Sequence, residues 1–566
     1  MPLGLVMMAA CGAPSEPGSP AAVDDVSPRA ALSVAGPSPA DTATSLIVGP
    51  RAEFMWSAEL PRWRLDLTDV NSPGPVVSVA PGGNLQVAIN NAACGSTIQL
   101  TAGGFYTGNF VLPAKRCPRG QWITIRTAAV AGQPGASARI LSTAASNVTL
   151  ATLQSPNGMA TIRTAPGANR YRLLLLRIAA VPHLASSFGL VQFGEVGAGQ
   201  ATLDQVPKDL VMDRVLVDAG PTMDLQRCMT INSGATIVIR SAFLRCAHRQ
   251  VENQAILGTN GPGPYLIEDN YLEAGSEHIM FGGADPTIQN LVPSDIVVRN
   301  NHFFRPSAWK GQFGVKNILE VKNGRRILFE RNVLEGSWQD GQGGSYLVIF
   351  SANQGGNAPW SVARDITFRH NRVRNVGSGI ALSGGNTPFP ATPASRITVW
   401  QNVVDNVNVP PFTGLGDLVL IGGPVDFFRL QSNTMVSTGR MRSAMLFDVN
   451  PSASMTLSMN ILSTGDNGIV GSGRTAGQPS LDFYAPLATV ASNVLVGRQP
   501  GVVPRGAVVA PSLADVGFAN VAAQDYRLLS TSPYLNPAAP TGADAPTVTT
   551  ITNFAVRQRD PRALVP

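Results

Sequence analysis

Acidic and basic side chains gather in two neighbouring stretches, SEHIMFGGADP (276–286) and VKNILEVKN (315–323). Side chains alternate between the two faces of a strand, so if Leu319 and Val321 point inward, the charged residues beside them share the outer face. One coil earlier, His278 is expected to point outward with Glu277 and Asp285 beside it, so the charges of the two stretches would share one face. The candidate catalytic residues are therefore Lys316, Glu320, Lys322, His278, Glu277 and Asp285.

These residue types suit two ways of breaking a sugar polymer. Elimination from a uronate needs a base for the C5 proton and a cation for the charge that develops on the carboxylate. Lys316 or Lys322 could be that base if a neighbouring charge depresses its pKa. Hydrolysis needs two carboxylates about 5–10 Å apart, and Glu277 or Asp285 with Glu320 would supply them. The remaining interpretation is a polar face with ordinary ion pairs.

Three tryptophans are candidates for binding a sugar. Trp309, Trp338 and Trp360 lie in the loop segments RPSAWKGQFG, EGSWQDGQGG and NQGGNAPWSV. Binding residues concentrate on long loops over a rigid scaffold, and flat apolar rings suit the faces of sugars. Their alternative role is to cover the sheet and seal these insertions.

The elements that must position these residues repeat along the chain. Apolar residues alternate around an Asn that recurs every 27 to 39 residues, and a second strand such as ILEVKN or YLVIFS follows in most units. A period of two predicts strands, and internal repeats of this length predict a solenoid. The sequence therefore predicts an all-β chain wound into a parallel β-helix, with coils about 4.8 Å apart. The recurring residues are Asn270, Asn301, Asn332, Asn371, Asn402, Asn433, Asn460 and Asn493.

The repeated Asn is expected to be structural. Its amide can donate to one neighbouring coil and accept from the other, and its tolerance for the left-handed conformation would help the chain bend. An open end of such a helix would expose unpaired strand edges. GGNLQVAINNAACGSTIQL places Leu85, Ala88, Ile89 and Ala92 on one helical face, which predicts an N-terminal capping helix.

These features together resemble the right-handed parallel β-helix proteins of the pectin-lyase-like superfamily, over residues 75–535. NGPGPYLIEDNYLEAGSEHIMFGGADP and PSDIVVRNNHFFRP are similar to a bacterial exported branch of it. The resemblance implies the fold and its right-handed winding. The motifs of pectin-active relatives, such as Asn-Thr-Asp, Gly-His-Gly and Trp-Ile-Asp-His, do not occur, so no catalytic residue is carried over.

The N-terminus resembles a bacterial lipoprotein signal. An apolar run ends in Ala-Ala-Cys-Gly at Cys11, followed by a Pro-, Ala- and Ser-rich stretch. The expectation is a signal remnant at 1–11, lipidation of Cys11, a disordered tether at 12–74 and a C-terminal tail at 536–566. No basic region precedes the apolar run, so the true start is expected upstream. The alternative is a disordered Met-rich end.

The other cysteines fall into two local pairs, Cys94 with Cys117 and Cys228 with Cys246. In an exported protein such pairs predict disulfides, and free buried thiols are the alternative.

The composition of the chain limits the classes of partner that the protein is expected to bind. A net charge of +6 without a dense basic run does not favour nucleic acid, and no apolar stretch is long enough to span a membrane. The histidines show no metal-ligand spacing, although ADPT or SWQD could join a single calcium site. We expect a monomeric, lipid-anchored protein of the bacterial cell envelope or exterior that acts on or binds polysaccharide. A lyase, a glycoside hydrolase and a non-catalytic glycan-binding or structural protein all remain open.

Overall fold

Three long parallel sheets form the body of the molecule. The computed structural model describes residues 57–141, 145–341, 343–384, 389–448, 454–535 and 541–556. Within these ranges, successive coils of the chain add strands to the three sheets in turn, and hydrogen-bonded neighbours come from consecutive coils. Apolar side chains from all three sheets fill one continuous interior. The all-β parallel β-helix that the repeat predicts is confirmed.

The strands of each sheet are stacked in the order in which they occur along the chain. The first sheet comprises Val76–Val79, Thr97–Leu100, Ile123–Thr127, Asn169–Leu174, Lys208–Asp213, Gly234–Ile239, Tyr265–Glu268, Ser294–Arg299, Gly324–Glu330, Ala363–Arg369, Ala394–Trp400, Val425–Gln431, Met455–Ser458 and Thr489–Ala491. The second comprises Phe110–Leu112, Ile162–Thr164, Ser186–Phe193, Asp224–Ile231, Gln254–Gly258, Glu277–Phe281, Leu319–Val321, Ser345–Ser351, Ser378–Gly384, Asp417–Ile421, Ser443–Phe447 and Ile469–Gly471. The third comprises Phe105–Thr107, Ala151–Ser155, Leu176–Ala180, Leu216–Asp218, Ala242–Cys246, Tyr271–Ala274, His302–Phe304, Val333–Glu335, Arg372–Val376, Val403–Val407, Thr434–Met435, Ile461–Ser463, Asn493–Val496 and Ala507–Ala510.

Short helices complete the described chain. Helix α1 (Leu85–Asn91) buries Leu85 and Ile89 and contacts the first strands of the first and second sheets, so the expected capping helix is present. Helices α2 (Gln478–Tyr484) and α3 (Ala545–Val556) follow near the C-terminus, as does an antiparallel pair, Phe518–Asn520 with Asp525–Leu528. The 3₁₀ turns are Ala145–Thr149, Ala198–Gln200, Leu203–Gln205, Ser307–Trp309 and Ala514–Val516.

A ladder of asparagines ties the coils together. From Asn270 to Asn493, the Nδ2 of each Asn donates to the Oδ1 of the next at 2.9–3.1 Å, and its backbone N–H donates to the same oxygen. The left-handed bend, however, falls on the residue before each Asn, as at Asn300 (φ 57°) and Arg331 (φ 57°). The expectation that the Asn itself makes the bend is therefore wrong, because its backbone N–H and side chain both serve the ladder.

The outer face of the first sheet is covered by the segment 57–74. Leu65 and Val70 are buried against Val211, Ile237 and Leu266 of that sheet. The backbone N–H groups of Glu59 and Arg62 donate to the carboxylates of Asp365 and Asp295, at 3.0 and 2.8 Å. The tether expected over 12–74 is corrected accordingly, because these apolar side chains find an apolar sheet to cover. Cys11 and the rest of 1–56 lie outside the described residues.

The outer face of the third sheet is covered by α3. Ala545 and Val548 of this helix pack into an apolar cluster with Val403 and Ile461. The buried guanidinium of Arg139 donates to the carbonyl of Ala555 at 2.7 Å and to Asp269 at 2.7 Å. Residues 545–556 of the expected tail are therefore a packed helix, since their apolar face has an apolar sheet to cover.

The second sheet keeps an outer face that is partly exposed. Val348, Leu420 and Leu446 point outward there and remain half-buried. Loops flank this face at both ends of its strands: 305–316 lies before the strand Leu319–Val321, and 352–362 lies after Ser345–Ser351. This partly exposed face between two loops is therefore a candidate surface for a ligand.

Both expected disulfides are present, joining Cys94 to Cys117 and Cys228 to Cys246. Their Cα atoms are 5.2 and 5.4 Å apart, within the range that a disulfide spans without moving the backbone. No helix among the described residues combines the length and the apolar composition that a membrane crossing requires.

Candidate active site

A local irregularity at the start of the strand Glu277–Phe281 decides which side chains face outward. The backbone N–H groups of His278 and Ile279 both donate to the carbonyl of Ile318, at 2.9 and 3.4 Å. The ring of His278 packs edge-on against Phe303 of the core, and its Nε2 lies 3.1 Å from the carbonyl oxygen of Phe304. The regular alternation is interrupted here, and Glu277 joins the outer face.

The expectation that His278 shares the charged outer face is therefore corrected. Its side chain is fully buried, and this burial holds the pKa of His278 well below its ordinary value of 6.5. A nearby guanidinium, that of Arg305, acts in the same direction. His278 is a neutral core residue under the turn.

Four of the expected residues do meet, and we call them the carboxyl cluster: Glu277, Glu320, Lys316 and Lys322. Lys322 Nζ lies 3.1 Å from Glu320 Oε1, and Lys316 Nζ lies 3.5 Å from Glu277 Oε1. The carboxyl groups of Glu277 and Glu320 hydrogen-bond to each other. Two carboxyls and two ammonium groups thus share one small site on the second sheet.

The two carboxyls hold their protons differently. Burial, followed by the negative charge of Glu320, raises the pKa of Glu277 to about 8, against the opposing pull of Lys316. Burial would also raise the pKa of Glu320, but Lys322 and Lys316 together bring it below its ordinary value. At neutral pH the proton therefore resides on Glu277, which donates it to the ionised Glu320.

Lys316 stays charged. Burial lowers the pKa of its ammonium group, but Glu277, Glu320 and Glu252 together raise it above its ordinary value. The depressed pKa that a basic Lys316 requires does not hold, because carboxylates rather than cations surround it. Lys322 is likewise paired with a carboxylate, so both lysines suit the stabilisation of negative charge.

Asp285 lies apart from the cluster. It follows the C-terminal end of the strand that Glu277 begins, and its carboxylate accepts from the backbone N–H groups of Gly355 (3.0 Å) and Asn357 (2.8 Å). Its contacts tie two loops together at the far end of the sheet. Among the described residues, no group of three or more His, Cys, Asp or Glu side chains is arranged to hold a metal ion.

The three tryptophans differ in exposure. Trp338 is 1% exposed and packs against Phe412 and the guanidinium of Arg305, so its expected contact with a sugar is corrected. Its ring is covered by these two neighbours, with the Arg305 guanidinium 5.7 Å from the ring centre. Trp309 and Trp360 are partly buried and lie in the loops at opposite ends of the strands of the second sheet. Trp309 packs on Phe313, and Trp360 Nε1 donates to the carbonyl of Leu291.

Sequence reasoning missed the neighbours that complete the cluster. Gln254 pairs with Glu277 across adjacent strands, and its Nε2 donates to Glu277 Oε2 at 2.6 Å. Glu252 contacts Lys316, and Asn317 lies 3.4 Å from Glu320. Arg227 pairs with Gln254 one coil earlier, and burial lowers its pKa to about 10. Residues 227 and 254 come before the first Asn of the ladder. The spacing of the Asn residues therefore could not predict which residues of later coils lie beside them.

Arg305 supports the site from below. Its guanidinium is fully buried and donates to four carbonyl oxygens, those of Ala274, Ser276, Gly336 and Asn317, at 2.8–3.0 Å. These carbonyls belong to neighbouring coils around the turn that precedes the cluster. Arg305 therefore fixes the turns from which Glu277 and Asn317 enter the sheet.

No family model matches the chain, and no curated protein sequence matches it. Solved structures that resemble it include the family 6 alginate lyase AlyGC, at 11% identity and a TM-score of 0.44, covering 82% of this chain and 58% of that one. A mannuronic-acid-specific family 6 polysaccharide lyase from the human gut microbiota gives 13% identity and a TM-score of 0.41, covering 86% and 100%.

A capsular polysaccharide depolymerase, the tailspike gp49 of Acinetobacter baumannii bacteriophage Fri1, gives 9% identity and a TM-score of 0.37, covering 78% of this chain and 66% of that one. The β-helix assignment for this chain rests on its own three sheets and their register.

The carboxyl cluster contains complementary groups for proton transfer. Glu277 holds a proton that it can give, and Glu320 is ionised and can take one. Lys316 and Lys322 lie beside them as positive charges. Such a set can remove a proton from carbon, protonate a leaving oxygen and stabilise a developing anion.

Proposed function

We propose that the protein binds an acidic polysaccharide along the outer face of the second sheet and cleaves it by β-elimination at the carboxyl cluster. The observation that carries the proposal is the hydrogen-bonded pair of a protonated Glu277 and an ionised Glu320 between two lysines. A base, an acid and cations are the groups that elimination from a uronate requires.

In the proposed step, Glu320 takes the C5 proton of a uronate. The electron pair of the C5–H bond forms the C4–C5 double bond, the C4–O bond breaks, and the leaving oxygen takes the proton of Glu277. Glu320 is then protonated and Glu277 ionised. Their direct hydrogen bond lets the proton return from Glu320 to Glu277, which restores the starting state without consuming water.

Lys316 and Lys322 have the electrostatic role in this scheme. Removal of the C5 proton places negative charge on the uronate carboxylate, and ammonium groups in a water-poor site stabilise that charge strongly. The cations also keep Glu320 ionised, since they lower its pKa. The two lysines thus stabilise both the ionised form of Glu320 and the anion that forms when it removes the proton.

Hydrolysis fits the cluster less well. Glycosidases place their two carboxyls about 5–10 Å apart, so that a glycosidic bond or a water fits between them. Glu277 and Glu320 are in direct hydrogen-bond contact. The pair is therefore better suited to passing a proton than to flanking a bond.

The burial of the cluster favours a second candidate, a non-catalytic glycan-binding protein. Glu277 is 0%, Glu320 2%, Lys322 6% and Lys316 8% exposed. In that case the four charges would stabilise the coils, and the polysaccharide would bind only the outer side chains of the second sheet. Product analysis separates the two candidates.

Isotope labelling tests the proposal directly. The protein is incubated with alginate, hyaluronan and polygalacturonate in ¹⁸O-labelled water, and the products are weighed by mass spectrometry. We expect products with a C4–C5 double bond and, before the reducing-end oxygen exchanges with solvent, no ¹⁸O, because elimination adds no water. Saturated products carrying ¹⁸O would indicate a hydrolase, and binding without any product would support the second candidate.

We further propose that the protein is exported and held at the bacterial cell envelope by a lipid on Cys11. The two disulfides support export, since such bonds persist mainly in oxidising compartments. Labelling growing cells with a tagged fatty acid should mark the wild-type protein and leave Cys11→Ser unmarked. Equal labelling of both would refute the anchor.

A further inference from the structure

A groove lies on the second sheet several coils before the carboxyl cluster. Outer side chains that pair in succession across neighbouring strands form one column from the groove to the cluster: Arg163, Gln192, Thr230, Leu257, Met280 and Glu320. Five strand spacings of about 4.8 Å put the two ends of this column roughly 24 Å apart. The first three residues line a cavity of about 260 Å³.

Large apolar side chains stand exposed at this cavity. Phe188 is 60% and Met159 57% exposed, and both line it. An aromatic ring left in water beside a cavity is suited to stacking on a flat apolar surface, such as the face of a sugar ring. Gly189, next to Phe188, also lines the cavity and has no side chain to fill it.

The polar groups of the cavity point to an anionic, hydroxyl-bearing ligand. The hydroxyl of Thr230 is buried, with the residue 7% exposed, and has no hydrogen-bond partner among the described residues. Buried hydroxyls in native proteins are nearly always paired, so this one has capacity for a ligand. Arg163 is exposed, and in the described part of the chain no carboxylate pairs with it, so its guanidinium is available for a bidentate contact with a carboxylate.

We propose that this cavity is a binding subsite for a uronate unit of the same polysaccharide, distant from the cleaved bond. Arg163 binds the sugar carboxylate, Phe188 stacks on the ring, and Thr230 exchanges a hydrogen bond with a sugar hydroxyl. The inference rests on the proposed function for the identity of the polymer. Its consequence is that long chains, which span both the subsite and the carboxyl cluster, bind more tightly than short ones.

The test measures binding of uronate oligomers by calorimetry. Mannuronate and glucuronate oligomers are used in a short form that covers only the carboxyl cluster and in a long form that spans the column. We expect Phe188→Ala and Arg163→Ala each to weaken binding of the long form about tenfold, the loss of roughly one charge-assisted contact or stacked ring. Binding of the short form should not change. Phe105→Ala, an equally exposed ring on the third sheet, is the matched control.

The outcomes separate the two proposals. If the wild-type protein binds the long form and neither Arg163→Ala nor Phe188→Ala changes its affinity, the subsite is wrong and the proposed function stands. If the variants lose affinity but the wild type releases no unsaturated product, the subsite stands and the lyase is wrong. If the wild type binds no oligomer of either length, both are overturned.

Discussion

Glu277 and Glu320 lie on adjacent strands of the second sheet, and the carboxyl group of one hydrogen-bonds that of the other. One is protonated at neutral pH and the other ionised. Burial and the charge of Glu320 raise the pKa of Glu277, whereas Lys322 and Lys316 lower the pKa of Glu320 by more than burial raises it. This division of one proton between two buried carboxyls gives the proposed chemistry its acid and its base.

Removing either carboxyl should abolish cleavage. We expect Glu320→Gln and Glu277→Gln each to lower the rate of product formation by at least about a hundredfold, the usual contribution of a positioned acid or base. Glu330→Gln is the control, since Glu330 pairs with Arg369 on the first sheet. Thermal unfolding of each variant shows that it is folded. Full activity in Glu320→Gln would exclude Glu320 as the base.

The activity should fall in alkaline solution. Glu277 must be protonated to act as the acid, and its pKa is raised to about 8, so the rate should decline as pH rises through that value. Glu320 must be ionised, so a second decline is expected in acid. A pH–rate profile measures both. A rate that still rises above pH ~9 would contradict the assignment of Glu277 as the acid.

Stability should respond to the same proton. The folded chain holds the proton of Glu277 more tightly than the unfolded chain, in which this carboxyl has its ordinary pKa of 4.5. The contribution of Glu277 to the free energy of unfolding is therefore fully present below about pH 4.5 and is lost as the pH rises through about 8. Glu277→Gln, which imitates the protonated form, should flatten this part of the stability profile. Denaturant titrations across the range provide the measurement.

The substrate should be selected by its stereochemistry. An acid and a base in direct contact reach the sugar from one side, so they suit uronates whose C5 proton and C4 oxygen lie on the same face of the ring. D-mannuronate and D-glucuronate have this arrangement, whereas D-galacturonate and L-guluronate do not. We expect cleavage of mannuronate or glucuronate polymers only. Equal rates on polygalacturonate would show that Glu277 and Glu320 do not act together.

The Asn ladder should be a large source of stability. Asn332 is buried, accepts from two donors of Asn301 and donates to Val298 and Asn371. Asn332→Ala leaves buried partners unpaired, and we expect it to lower the free energy of unfolding by about 2–4 kcal/mol. Asn467→Ala, at an exposed position, should change it by less than about 0.5 kcal/mol. Denaturant titrations of the two variants make the comparison, and equal losses would contradict the ladder's role.

Most of the fold and part of the site could be predicted from the sequence. Regular spacing of residues such as Asn301 and Asn332 indicates stacked coils, and the alternation of side chains along a strand correctly predicts that Glu320 and Lys322 face outward. The side of His278 could not be predicted, because it depends on a shared hydrogen bond to Ile318 from the next coil. The packing of Leu65 on the first sheet also depends on distant residues, since its neighbours there are set by the stacking of coils.

Ultraviolet absorbance of the unsaturated product tests the central claim most directly. Wild-type protein and Glu320→Gln are incubated side by side with mannuronate and glucuronate polymers. We predict a steady rise in absorbance with the wild type and none above background with Glu320→Gln, which should still bind the polymer. Folded wild-type protein that binds these polymers without any rise in absorbance would contradict the assignment of Glu277 and Glu320 as an acid–base pair.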